Sequence, residues 1–318
     1  MRKGKIVYAA AVMAASFVLT ACSGFKVTSE LSSGASVEKN IDGMEKLDEK
    51  RTESFIKEVN RKYSRIQLQD IGLNIDGSGD IAVNLGDIFE DTDIDIAASM
   101  SGDISMNSAG DAKYTDAVVA ISLPVFGRIT IQSDGYNDAA ENCSYTLLKD
   151  VKSEGGLFPL SDTGNNSSIP QWTKKKNETP APDGKAFSDI KLTLDPGYVN
   201  GIYENKNTGS YIVDMKPEAL NSVQKKANAS GMENAKLYVT YGQGIALSGI
   251  YFTADKLTYR TDDGEDELVM KNAVITADVT SLNTGADLKV PEDIRDKAVE
   301  EHNDNEDDAL GSFMDLLH

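Results

Sequence analysis

The residue types that carry most enzyme chemistry are scarce in this chain and poorly placed for it. Histidine occurs only at His302 and His318, both in the acidic tail region, so a Ser-His-Asp or Cys-His arrangement would have to recruit a tail residue. A histidine-based zinc site meets the same shortage. Gly77-Ser78-Gly79 and Gly242-Gln243-Gly244 lack the remaining residues of a phosphate-binding loop or dinucleotide fingerprint. Carboxylates abound, 51 against 32 Lys and Arg for a net charge of −19, so neighbouring acids arise by composition and no glycosidase-type pair stands out. Asp91-Thr92-Asp93-Ile94-Asp95 and Asp304-Asn305-Glu306-Asp307-Asp308 gather hard oxygen ligands, but neither has the spaced acids, central glycine and distal glutamate of a calcium loop. In the first cluster the alternation already explains the acids as the wet face of a strand. The expectation is a non-enzymatic chain with no catalytic residue, no cofactor and no metal. Its acidity also argues against a nucleic-acid partner, whose phosphates demand a basic face, and against flat adhesion to an anionic bilayer.

One residue does have a definite chemistry. Arg2, Lys3 and Lys5 precede an apolar run from Ile6 to Leu19, the charged and apolar order of a signal peptide, and the run is short for a membrane span. Leu19-Thr20-Ala21-Cys22, followed by Ser23 and Gly24, resembles the bacterial lipobox. The resemblance implies cleavage of residues 1–21 and a diacylglyceryl thioether on Cys22. Two acyl chains, at about 0.8 kcal/mol per buried CH₂, give stable anchoring where one chain would not. The chain is therefore expected on the extracytoplasmic face of the cell membrane, its membrane partner engaged through Cys22. Committing Cys22 to lipid leaves Cys143 without a disulfide partner, and it reads as a small packed residue.

The elements that would follow the anchor begin with a flexible tether over residues 22–43, rich in Ser, Gly and scattered charge. From Met44 to about Ile66, the spacing of Leu47, Phe55, Ile56, Val59, Tyr63 and Ile66 predicts an amphipathic helix. After it the period becomes two. Asp93 to Met106, Val118 to Leu123, Ile129 to Ile131 and Tyr145 to Leu148 read as antiparallel strands with one wet face. The stretch from about Glu154 to Lys185 is rich in Gly, Pro and Asn, carries Lys174-Lys175-Lys176 and the single Trp172, and reads as a long loop. In the second half Tyr211 to Met215 reads as a strand. A helix started by Pro217 and ended by Gly231 follows, then strands at Leu237–Tyr241, Ile245–Thr253, Lys256–Arg260, Glu267–Met270 and Val274–Val279. Asp262-Asp263-Gly264 is a hairpin turn between two of these. A short helix after Pro291 and an acidic tail over 296–318, with Leu310, Phe313, Met314 and Leu317 on one helical face, complete the chain.

The lipobox, the Ser/Gly tether, the helix and meander, the middle loop bearing Trp172, the Tyr211-Ile212-Val213-Asp214-Met215 strand with its Pro-started helix, the second meander and Thr284-Gly285-Ala286-Asp287-Leu288-Lys289-Val290-Pro291 together resemble Gram-positive surface lipoproteins of the LolA-like type, similar in fold to LolA, LppX and LprG. That resemblance implies an α+β fold over residues 44–295: a curved antiparallel half-barrel sheet with helices packed on its concave side, enclosing an apolar cavity for acyl chains. The expected cavity wall comes from alternating strand residues, with Ile94, Ile96, Val119, Ile121, Leu123, Ile129, Ile131, Ile250 and Phe252 as candidates and Trp172 at the rim. The partner on this reading is an amphiphilic, lipid-like ligand. On the rival reading the sheet is only a packed core, and acidic loops or the terminal helix meet an envelope protein partner.

Overall fold

A computed structural model describes residues 41–84, 93–123, 127–155, 171–177, 187, 191–220, 229–260 and 267–300. Cys22, the tether to residue 40, the Asp262-Asp263-Gly264 turn and the tail from residue 301 lie outside this set. The first element is a two-residue strand, β1 (Glu45–Lys46), followed by helix α1 (Glu49–Tyr63). Asp48 caps α1, its carboxylate accepting from the Arg51 amide at 2.8 Å. Phe55, Ile56, Val59 and Tyr63 form the buried stripe of this helix.

Everything else of consequence is strand. The chain continues through β2 (Asp70–Asn84), β3 (Asp93–Asn107), β4 (Ala112–Leu123), β5 (Gly127–Asp138), β6 (Cys143–Glu154), β7 (Trp172–Lys176), β8 (Val199–Asn205) and β9 (Ser210–Met215). It then forms β10 (Ala229–Glu233), β11 (Lys236–Gly242), β12 (Ala246–Arg260) and β13 (Glu267–Leu282), and closes with helix α2 (Glu292–Lys297) and strand β14 (Val299–Glu300). The fourteen strands make one sheet in the order β1-β8-β9-β11-β12-β13-β2-β3-β4-β5-β6-β7-β14, with β10 joined to β12. Every pairing is antiparallel except β14 with β7.

The main core lies on one face of this sheet, under α1. Phe55 stacks obliquely on Tyr211 at 4.6 Å and edge-on to Tyr241 at 5.5 Å. The Tyr63 hydroxyl donates to the Ile245 carbonyl at 3.0 Å and accepts from the Leu247 amide at 2.9 Å. Asn60 grips the Leu194 backbone at both polar atoms, which fastens the segment before β8 to the helix. In β2 the inward positions are Ile71, Leu73, Ile75 and Ile81, and Gly79 stands between them because a Cβ there would meet the Met270 side chain at 2.9 Å. Helix α2 lies on the other face: Ile294 and Val290 pack with Cys143 and Tyr145, which alternate along β6 with the opposite-facing Thr146 and Leu148. Arg295 ties α2 down by pairing with the buried Asp138 and with Glu141.

The expected α+β half-barrel, with helices gathered on a concave side, is therefore corrected. The described residues form a large sheet carrying two helices, one on each face. The physical reason is that several segments read as helix or loop keep the alternation and pair. Trp172–Lys176 is a strand hydrogen-bonded to β6, not part of a loop. Pro217–Ala219 is a 3-10 turn with Leu220 helical after it, residues 221–228 of the predicted helix lie outside the described residues, and the chain is extended from Ala229, before Gly231. The two predicted pairs Ile245–Thr253 with Lys256–Arg260, and Glu267–Met270 with Val274–Val279, are two long strands. Ile41 and Met44 pack against Ile212, Tyr238 and Tyr251.

Candidate functional site

Direct cross-strand partners lie on the same face of a sheet, so the register can be followed from strand to strand. Val199, Met215, Leu237, Phe252, Ile275, Gly77, Met100, Val119, Ile131 and Val151 form one continuous row across ten strands, from β8 to β6. Apart from Gly77 every member is apolar. Their burial changes along the row. Phe252 and Ile275 are 2% and 6% exposed under α1, Met100 and Val119 are half-buried, and Ile131 and Val151 reach 37% and 46%. Leu148, on the same face of β6, is 50% exposed. The apolar face is thus continuous, and its far part is open.

Two bulges keep this register across β4, β5 and β6. One extra residue in β6, at Lys149, separates the pairs Ser133–Leu148 and Gln132–Asp150. The ammonium of Lys149 reaches Asp116 at 2.8 Å and Asp134 at 2.9 Å. The hydrogen bond from Lys149 holds the Asp116 carboxyl below the usual carboxylate range and raises Lys149 itself. Asp116 sits at φ 50° in the β4 bulge, with its amide donating to Asp134 at 2.8 Å. Nearby, the Tyr114 ring covers Gly135, where a Cβ would meet the ring at 2.1 Å. The opposite side of this part of the sheet carries Thr130, Gln132, Asp134, Asp150 and Lys152 beside Val118, Ala120 and Leu147.

The sequence-predicted wall residues divide between the two regimes. Ile96, Val119, Ile121, Ile129 and Ile131 belong to the far part of the apolar face, through the pairs Ile81–Ile96, Ala98–Ile121 and Ile121–Ile129. Ile250 and Phe252 share that face but are sealed in the core beneath α1. Ile94 and Leu123 pair with Val83 and Gly127 at the strand ends, and their side chains lie outside the described residues. Trp172 stands on the other face, 5.7 Å from Tyr136 and in the cluster beneath α2, so it plugs that cluster and does not border the apolar row. Its neighbour Lys174 is paired with Glu141 at 2.9 Å. Leu148 and Val151 escape sequence reasoning because the bulge at Lys149 breaks their alternation. Met100 was visible in the alternation of β3 and belongs with them.

A cleft of about 810 Å³ opens at the C-terminal end of α1, where charged and polar side chains stand beside Tyr211 and Ile245. No group of three or more His, Cys, Asp or Glu side chains converges for a metal ion among the described residues, and no described helix is long and apolar enough to cross a membrane. The chain matches no protein-family model, and no curated protein matches it.

Proposed function

We propose that the chain is a lipid-anchored, extracytoplasmic binding protein without catalytic activity, which takes an apolar or amphiphilic ligand on the open part of its apolar sheet face. The observation that carries this reading is the exposure gradient along one cross-strand row, from Ile275 at 6% to Val151 at 46%. Strands β3 to β6 stand about 4.8 Å apart, so the open row is a track of roughly 15 Å. Covering it removes apolar surface from water at about 25 cal/mol per Å². Anchoring through Cys22 rests on the lipobox. The openness of the face favours one rival, an amphipathic segment of an envelope protein seated on the same residues.

The test uses the chain from Ser23 onward and a fluorescent fatty acid. Saturable uptake is expected, and Ile131→Asp and Val151→Asp should each weaken it by about tenfold or more while the far-UV circular dichroism stays unchanged. Absence of uptake by the unsubstituted chain removes the amphiphile and leaves the protein partner.

A further inference from the structure

The cleft at the end of α1 has three walls. Glu58, Arg61 and Lys62 come from the helix, Lys206 to Gly209 with Tyr211 from the β8–β9 turn, and Gln243 to Ile245 from the β11–β12 turn. In a chain of net charge −19, this lining sets three cations against one acid. The carbonyl end of α1 opposes them with about half an elementary charge, which Arg61 and Lys62 outweigh. Lys206 is also paired with Glu45, and Arg51 bridges Glu45 and Glu204 behind the cleft. The Arg61 side chain makes no hydrogen bond or ion pair among the described residues.

The third wall is held in a costly backbone shape. Ile245 has φ 58°, in the left-handed region that β-branched residues rarely enter, next to Gly244 at φ 65°. Its carbonyl accepts from the Tyr63 hydroxyl at 3.0 Å and from the Lys62 ammonium at 3.1 Å, and Lys62 also donates to the Gly244 carbonyl at 3.0 Å. Strain of this kind persists where the surroundings over-determine it, and it clusters at ligand sites. In the polar remainder of the lining, Asn207 and Gln243 offer amide groups suited to the hydroxyls of a ligand, while the Tyr211 hydroxyl donates to Glu204 and the Thr208 hydroxyl pairs with Ser210. Several separate donors around one anion match the acceptor oxygens of a phosphate.

We propose that this cleft binds a phosphate group carried on a small polyol, of which glycerol phosphate is the simplest form. It is a different surface from the apolar face, so it stands or falls independently of amphiphile uptake. The test is an amide NMR titration of the full chain in neutral detergent micelles, with free glycerol 1-phosphate in one arm and phosphatidylglycerol doped into the micelles in the other. Saturable shifts of the Thr208, Gly209 and Gly244 amides are expected. Saturation by the free compound identifies a soluble ligand, and saturation in the doped micelles alone identifies a lipid headgroup. Arg61→Ala and Lys206→Ala should each weaken binding about fivefold, the size of one exposed charge-assisted contact. Glu58→Gln should tighten it about twofold, which keeps the proposal testable if an alanine variant fails to fold. Lys256→Ala removes the same charge on β12, away from the cleft, and should change nothing. Absence of saturable shifts in both arms overturns the proposal, as does equal weakening by Lys256→Ala.

Discussion

The half of the sheet beneath α1 and the half from β3 to β6 use the same face, the same cross-strand row and the same kinds of residue, yet one is sealed and the other open. Phe252 is buried in the core cluster that also holds the α1 stripe and Leu194, whereas Ile131 belongs to no such cluster and is 37% exposed. Alternation decides which side of a strand is apolar. What covers that side is decided by elements far away in sequence, here a helix that ends before β2 begins. Sealed core and open face are thus one continuous surface, divided by where the cover ends.

The contrast has an energetic signature. Phe252→Ala should cost about 3–5 kcal/mol, the range for a buried aromatic truncated in a packed core, while Ile131→Ala should cost less than about 1 kcal/mol because its surface is already partly wet. Urea unfolding of both variants measures the pair, and equal losses would erase the distinction between the halves. Smaller, and confined to the sealed half, is the effect of Tyr63→Phe. It leaves the buried Leu247 amide without its acceptor at an expected cost of about 1–2 kcal/mol, readable in the same experiment.

The smallest effect concerns charge and differs in sign between the halves. Burial raises the Asp278 carboxyl from 3.8 on the near part of the sheet, whereas Lys149 lowers Asp116 on the far part. The folded state holds the Asp278 proton more tightly than the unfolded chain does. Its stabilising effect is present at low pH and is lost as pH rises from 3.8 through the raised folded value. Asp278→Asn should therefore stabilise the protein by about 0.5–1 kcal/mol at pH 7, with the gain vanishing near pH 3 in thermal melts across that range.

Much of this arrangement is legible in the sequence. The helical spacing of Phe55, Ile56, Val59 and Tyr63 marks the stripe that α1 buries, and the alternation of Ile94, Ile96, Val119, Ile121, Ile129 and Ile131 falls on real strands. The failures share a cause. In β2 the alternation of Ile71, Leu73 and Ile75 is interrupted at Gly77-Ser78-Gly79, where glycine admits the Met100 and Met270 side chains. Lys174-Lys175-Lys176 reads as a solvated loop, although each lysine is paired in the ladder with β6 and Lys174 also reaches Glu141. Burial of Ile250 and Phe252 cannot be told from that of Val119 and Ile131 by periodicity, because the cover is supplied by long-range packing. The cleft at the end of α1 gathers residues from three distant segments and leaves no local pattern.

Photocrosslinking with a diazirine fatty acid, followed by peptide mass spectrometry of the chain from Ser23 onward, addresses the open face most directly. Labels concentrated on 96–106, 118–123, 127–133 and 147–153, competed away by unlabelled fatty acid, are the expected result. Labels spread evenly over the surface, or confined to the segments around α1, would contradict a ligand track on the far half of the sheet.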